Sequence, residues 1–364
     1  MRQWRRLVGM KQILVMMAAV VLVGCSKDTP ETSQTAEAKA QVIRAPSPEL
    51  DPVSTVNEKL IADPIVLSAV HNSIEKHVGK LNKKDLENVT DLKLIATKIT
   101  DAGLKDVAKL HNLERLNLIN TGVTDTGLKE VAKLEKLNSL NLKFTQITDA
   151  GLKDVAKLQN LLLIDLSLTK ITDKGLHEVA KLQNLTSLKL SKTKITDEGL
   201  KEVAKLQNLE VLWLTETKIS GAGLEELAKL HNLKFLAIPR TEITSSSLKE
   251  LTKLQKLERL TLKGAQITDA GLKEVSKLQN LTHLYLHTTK ITDEGLKELA
   301  KLQQLQQLNL MFPAQITDEG LKELAKLQQL EQLTVIGAQI TKTGVSELKK
   351  ALPNCNIIAP HKTP

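Results

Sequence analysis

At 364 residues the chain is long enough for two ordinary domains, yet its internal repetition points to one elongated array whose length counts repeats. Its 51 basic and 42 acidic residues give +9, and setting aside Arg2, Arg5, Arg6 and Lys11 of a removable leader leaves 47 against 42, too small an excess for a nucleic-acid-binding stripe. The two cysteines, Cys25 and Cys355, stand in unrelated contexts, which argues against a disulfide framework or metal site and predicts no internal disulfide.

The chain begins with a basic stretch and an uncharged apolar run, Ile13 to Val23, as a secretory signal peptide does. Leu22-Val23-Gly24-Cys25 resembles the bacterial lipobox, which implies cleavage after residue 24 and acylation of Cys25. A membrane anchor is the alternative, but Ile13 to Gly24 is short of the roughly 20 residues that span a bilayer as a helix. The same resemblance places the chain in the cell envelope. In a Gram-negative source Ser26, which is not Asp, implies the outer membrane, facing either the periplasm or the surface.

Residues 25–58 carry Pro30, Pro46, Pro48 and Pro52 with little apolar periodicity, and read as a flexible tether. As a coil the tether would span roughly 30 Å, with a stretched limit of about 110 Å. Asp63-Pro64 opens a helix, with Asp63 as N-cap and Pro64 at the first helical position. Leu67, Val70, Ile74 and Val78 form its apolar stripe, and Gly79 suits its C′ position. With a second turn over Asn82 to Val89, residues 59–88 read as an N-terminal cap, and they resemble the helical caps of the internalins.

From there one pattern recurs. Asn112 to Asp125 shows it, with Leu113, Leu116 and Leu118 followed by Thr121 and Val123: a leucine-rich repeat, one short strand and a turn. The Ile or Val of the turn falls at Ile99, Val123, Ile147, Ile171, Ile195, Ile219, Ile243, Ile267, Ile291, Ile316 and Ile340, a step of 24 with one of 25. Residues 89–345 are therefore eleven repeats. Each continues as a helix with Leu104, Val107 and Leu110 on one face, Thr100 or Asp101 as its cap and Lys109 near its end. The fold class is α/β: a horseshoe-shaped leucine-rich repeat solenoid with a concave parallel sheet and convex helices.

The units resemble ribonuclease-inhibitor-like and cysteine-containing leucine-rich repeats, with their Ile-Thr-Asp-x-Gly-Leu turns. Where those classes place Asn or Cys, this chain has Thr97, Thr121, Thr145, Thr169, Thr193, Thr217, Thr241 and Thr289, with Ala265, Ala314 and Ala338. The threonine hydroxyls are expected to bond backbone between neighbouring turns, and the alanine units to be looser. Residues 346–364 form a closing cap and tail, in which Leu352 to Ile357 is a final half-repeat and Cys355 a small, half-buried residue.

Residues alternating with the inward leucines point to the concave face. Aromatics make up only 2% of the chain. Apart from Trp4, all five, Phe144, Trp213, Phe235, Tyr285 and Phe312, fall on that face or its rim. At about 4.8 Å per strand, Trp213 and Phe235 sit on adjacent strands and Tyr285 lies roughly 14 Å from Trp213. Grouped exposed aromatics favour a binding surface. Arg240 stands at the strand exit beside Phe235. The turns of units six and seven depart from the pattern, at Ser220-Gly221-Ala222-Gly223 and Ser245-Ser246-Ser247, and unit ten carries an extra residue near Phe312 that should bulge the rim.

His283 and His287 flank Tyr285 on one face, but four residues of strand separate them by about 13 Å, too far to share one ion. They read as polar, pH-sensitive members of the binding face. The convex lysines follow acids by three residues and should be neutralised. No nucleophile motif, phosphate loop or zinc spacing is present. The expectation is a non-enzymatic, lipid-anchored protein without cofactor or metal. Its anchors would be Trp213, Phe235, His283, Tyr285 and His287, with Phe144, Phe312 and Arg240 around them. They would engage another protein or an envelope polymer, and not nucleic acid. A passive envelope spacer or scaffold is the alternative.

Overall fold

A segment that alternates inward leucine with outward polar residue over so short a span forms a strand of only a few residues, and it needs identical neighbours to bury its leucines. The computed structural model describes residues 60–76, 79–264, 266–313 and 315–360. The leader, Cys25 and the tether lie outside the described residues, as do Val78, Ala265 and Ala314.

Twelve strands lie in one parallel sheet in chain order. They are β1 (Asp91–Lys93), β2 (Arg115–Asn117), β3 (Ser139–Asn141), β4 (Leu163–Asp165), β5 (Ser187–Lys189) and β6 (Val211–Trp213), followed by β7 (Phe235–Pro239), β8 (Arg259–Lys263), β9 (His283–His287), β10 (Gln307–Met311), β11 (Gln332–Ile336) and β12 (Asn356–Ile358). Each pairs with the next in the register of the repeat, so equivalent side chains stand in rows across the sheet. The extra residue of unit ten leaves this register intact. Gln307 still faces His283 and Met311 still faces Ile336, so it is absorbed after the strand.

The opposite side carries short helices, for example Asp125–Val131, Asp173–Val179, Asp197–Val203 and Gly221–Leu227. Seven residues make a marginal helix in water, and burial of pairs such as Leu128 and Val131 holds it in place. Unit seven differs, with a 3₁₀ helix over Ser245–Lys253. One continuous apolar core runs from Ile61 to Ile357.

Two polar ladders join the units. The carboxylate of Asp173 accepts from the backbone N–H of Thr196 at 2.8 Å and from its hydroxyl at 2.7 Å, one unit on. The same pair of bonds recurs from Asp101 to Thr124, Asp125 to Thr148 and Asp149 to Thr172. The glycine two residues after each Asp is needed for this close approach, since a Cβ on Gly175 would stand 2.5 Å from Oδ1 of Asp149. On the other flank the amide of Asn184 donates to the carbonyl of Gln159 at 2.9 Å, and Asn160, Asn208 and Asn232 do likewise.

Two expectations need correction. The threonine row does not bridge turns: the hydroxyl of Thr145 donates to the carbonyl of Leu142 at 2.6 Å, three residues back in its own turn, and the same holds from Thr97 to Thr241. A hydroxyl on so short a side chain meets the carbonyl of its own tight turn before it can cross to the next unit. The cap of the first convex helix, Leu104–Val107, is neither Thr100 nor Asp101 but Gly103, with no side-chain bond. Asp101 is taken by the next unit. Elsewhere Thr124, Thr172 and Thr196 do cap their helices.

At the N-terminal end α1 (Pro64–Ser73) is capped by Asp63, which accepts from Ile65 and Val66 N–H, and α2 (Lys83–Glu87) opens with a capping box of Asn82 and Asp85. Asp106 of the first unit accepts both Ala62 and Asp63 N–H at 2.7 Å. Burial opposes its charge, but Lys109 and these two N–H groups outweigh that and hold its pKa below the usual carboxylate value. Asp63 stands where a preceding unit would place its ladder carboxylate, its Oδ2 2.7 Å from a Cβ built on Gly103.

Candidate binding face

A rim residue takes a left-handed conformation three positions past β1 to β6 and directly after β7, β9 and β10: Ala96, Asn120, Phe144, Leu168, Lys192, Glu216, Arg240, Thr288 and Phe312 all have φ between 51° and 59°. In this geometry the backbone N–H turns toward the next unit, as when Phe144 donates to Ser167 O at 3.0 Å, and the side chain is left on the rim. Phe144 and Phe312 are accordingly 53% and 51% exposed. Arg240 is exposed there too and pairs with Glu216, which Lys192 also approaches at 3.5 Å.

On the sheet, Trp213 and Phe235 pack with ring centroids 4.6 Å apart and planes at 30°. Register explains the contact. Trp213 lies beside Ala237, whose small side chain lets the indole lean across to Phe235. The expectation that Phe235 is an exposed anchor needs correction, since it is only 4% exposed and forms the support beneath Trp213. Lys189, next to Trp213 in its row, places Nζ 5.6 Å from the indole centroid, within cation–π range.

Tyr285 stands three strands from Trp213 with Ala237 and Thr261 between them. His283 is half-buried, and burial together with the nearby Arg259 pushes its pKa down to about 4. His287 is lowered by burial, then by Lys263 and Arg240, and its ring meets Phe312 at 5.4 Å. The structure thus brings together Trp213 with Phe235, and His287 with Phe312. It leaves Phe144 apart on the rim of β3, beside the exposed Leu168.

Two members of this face escaped the sequence reading, Lys189 and Lys263. The 24-residue register could have found both, because Lys189 precedes Trp213 by one unit and Lys263 precedes His287 by one. On the convex side the lysines are paired as expected: Lys133 with Glu130, Lys205 with Glu202 and Lys326 with Glu323, at 2.6–2.8 Å. Among the described residues no three His, Cys, Asp or Glu side chains gather to hold a metal, and no helix is long and apolar enough to cross a membrane.

A repeated strand, turn and helix stacked in one parallel sheet, with a polar and aromatic concave face, defines a leucine-rich repeat solenoid. The chain is a leucine-rich repeat protein. The family profile described as "Leucine-rich repeat region" matches residues 206–357, and that described as "Leucine Rich repeat" matches 133–156, 157–180 and 181–204. No curated protein sequence matches it significantly. Among solved structures it is similar to an internalin (inlF) from Listeria monocytogenes, at 23% identity and TM-score 0.61, covering 85% of this chain and 94% of that one. It is also similar to a leucine-rich repeat protein of Leptospira interrogans, at 25% identity and TM-score 0.50, covering 77% and 81%.

Proposed function

We propose that this is a non-enzymatic, lipid-anchored protein of the cell envelope that binds another protein through its concave face. In this reading residues 1–24 are a lipoprotein leader, Cys25 is the acylated residue and residues up to 58 are a tether. Residues 59–88 cap the array, 89–345 are its repeats and 346–364 close it. The observation that carries the binding assignment is the stacked Trp213–Phe235 pair beside Lys189 on an otherwise aliphatic scaffold. A rigid aromatic supported from beneath supplies contact area at little entropic cost. Tyr285, His283 and His287 extend the surface, and Arg240 and Phe312 border it.

Capture from envelope extract by the full chain, beside a Trp213→Ala/Tyr285→Ala variant, tests the reading. A partner retained by the parent and lost by the variant supports it. Equal capture by both, or capture by neither, overturns it in favour of a spacer. Labelling with a radioactive fatty acid, lost in Cys25→Ser, tests the anchor separately.

A further inference from the structure

The concave face is electrically lopsided. Acids occur in its strands only at Asp91 of β1 and Asp165 of β4, and β5 to β12 contain none. Both acids are engaged: Asp91 pairs with Arg115 at 2.9 Å, and buried Asp165 accepts from Ser167 N–H at 2.9 Å. Glu216 on the rim is held by Arg240 and Lys192. By contrast Lys189, Arg259 and Lys263 form no ion pair with any described residue, although ten convex lysines each find an acid three positions away.

Register places two of these cations, Arg259 and Lys263, around a slot. Its floor is Thr261, beside the buried Ala237 in one row, and its walls are Trp213 on one side and Tyr285 on the other. Three strand spacings put the backbones that carry its two walls about 14 Å apart. Arg259 and Lys263 stand at the two ends of β8, four residues apart, so about 13 Å separates them along the floor. Arg259 is flanked by Phe235 and His283, and Lys263 by Pro239 and His287.

We propose that this slot takes an extended acidic segment of a partner protein, in which two carboxylates four residues apart meet Arg259 and Lys263 and an apolar side chain between them lies over Thr261 between Trp213 and Tyr285. The match is geometric: an extended peptide repeats its facing side chains at the same spacing as β8, so residues i, i+2 and i+4 fall on one cation, Thr261 and the other cation. The planar guanidinium of Arg259 suits a carboxylate. Burial and then Arg240 hold the Lys263 pKa below its usual value, a lowering that Glu216 offsets only in part, and Arg259 adds to the burial that lowers His283. A nucleic-acid or polysaccharide polyanion fits less well. Its more closely spaced charges would also fall between the two cations, on Thr261, where no cation meets them.

This inference rests on the concave face being a binding surface, and its test separates the two. A fluorescein-labelled peptide carrying Glu-Ser-Leu-Ser-Glu is titrated with the full chain by anisotropy, beside its Gln-Ser-Leu-Ser-Gln counterpart and an oligogalacturonate. We expect the Glu peptide to bind about tenfold more tightly than the Gln peptide, to weaken as salt rises, and to lose about tenfold with Arg259→Gln or Lys263→Gln. Neither side chain makes a hydrogen bond or ion pair with a described residue, so both variants should keep the parent's thermal midpoint. Equal binding of the two peptides, no binding, unchanged affinity in both variants, or preference for the oligogalacturonate overturns the acidic-peptide assignment. The binding-face reading survives such a failure if Trp213→Ala/Tyr285→Ala still abolishes capture of a natural partner, and falls with it if it does not.

Discussion

Gly221 and Ser247 are complementary: a Cβ built on Gly221 would stand 2.7 Å from the Cβ of Ser247, one unit on. In other units the first position is the ladder Asp and the second is the Gly that makes room for it. Here the two have exchanged bulk, and the carboxylate ladder that runs from Asp101 to Ser220 stops. The N–H of Thr244, which a carboxylate would have taken, turns instead to Ser247 Oγ at 3.3 Å. The helix that follows is the 3₁₀ exception.

Gly221→Asp alone should therefore destabilise the array by about 1–3 kcal/mol through overpacking against Ser247. Adding Ser247→Gly should recover that loss and add the charge-assisted bonds of the ladder. Denaturant unfolding of the two single variants and the double variant checks the coupling. Simple additivity would show that the two positions do not communicate.

Thr289 is the odd member of its row. It is buried, and its hydroxyl has no partner, whereas that of Thr193 donates to Leu190 O at 2.6 Å. Replacing a bonded hydroxyl by methyl costs about 1 kcal/mol, while removing an unsatisfied one relieves a comparable penalty. Thr289→Val should raise the unfolding midpoint and Thr193→Val should lower it. Shifts of the same sign would contradict the assignment.

His283 makes stability depend on pH. Arg259 faces it from β8, Gln307 stands beside it on β10 and the Thr282 hydroxyl lies 2.8 Å from its Nδ1, so the neutral ring is the favoured form. With a folded pKa of about 4 against an ordinary 6.5, the unfolded chain binds the extra proton between those values. The contribution is present above pH 6.5 and is lost as pH falls toward 4. For a half-exposed ring, solvent screening reduces it to on the order of 1 kcal/mol. Melts at about pH 7 and about pH 4.5 should show a smaller loss for His283→Gln than for the parent.

Leu168 occupies the left-handed rim position with φ 59°, a conformation that costs a leucine roughly 1 kcal/mol. Asn tolerates it better, and Asn120 fills the same place two units earlier. Leu168→Asn should stabilise the array by about 0.5 kcal/mol, read as a higher thermal midpoint. A lower midpoint would mean that the partly covered leucine side chain contributes more than its backbone costs.

The 24-residue period by itself determined the solenoid, the strand and helix of each unit, the leucine core and the pairing of the convex lysines. It could do so because every unit meets the same neighbours, and a core built from local spacing needs no distant contact to be inferred. Tertiary structure alone decided which polar groups join the units. Threonine, aspartate and asparagine all recur at fixed positions, but only stacking shows that Asp173 and Asn184 reach a neighbouring unit while Thr145 closes on its own turn. It alone decided, too, that Phe235 lies beneath Trp213, because that depends on the small Ala237 one strand over. The free charge of Arg259 and Lys263 is likewise a property of the sheet: whether a cation finds an acid depends on residues a whole repeat away.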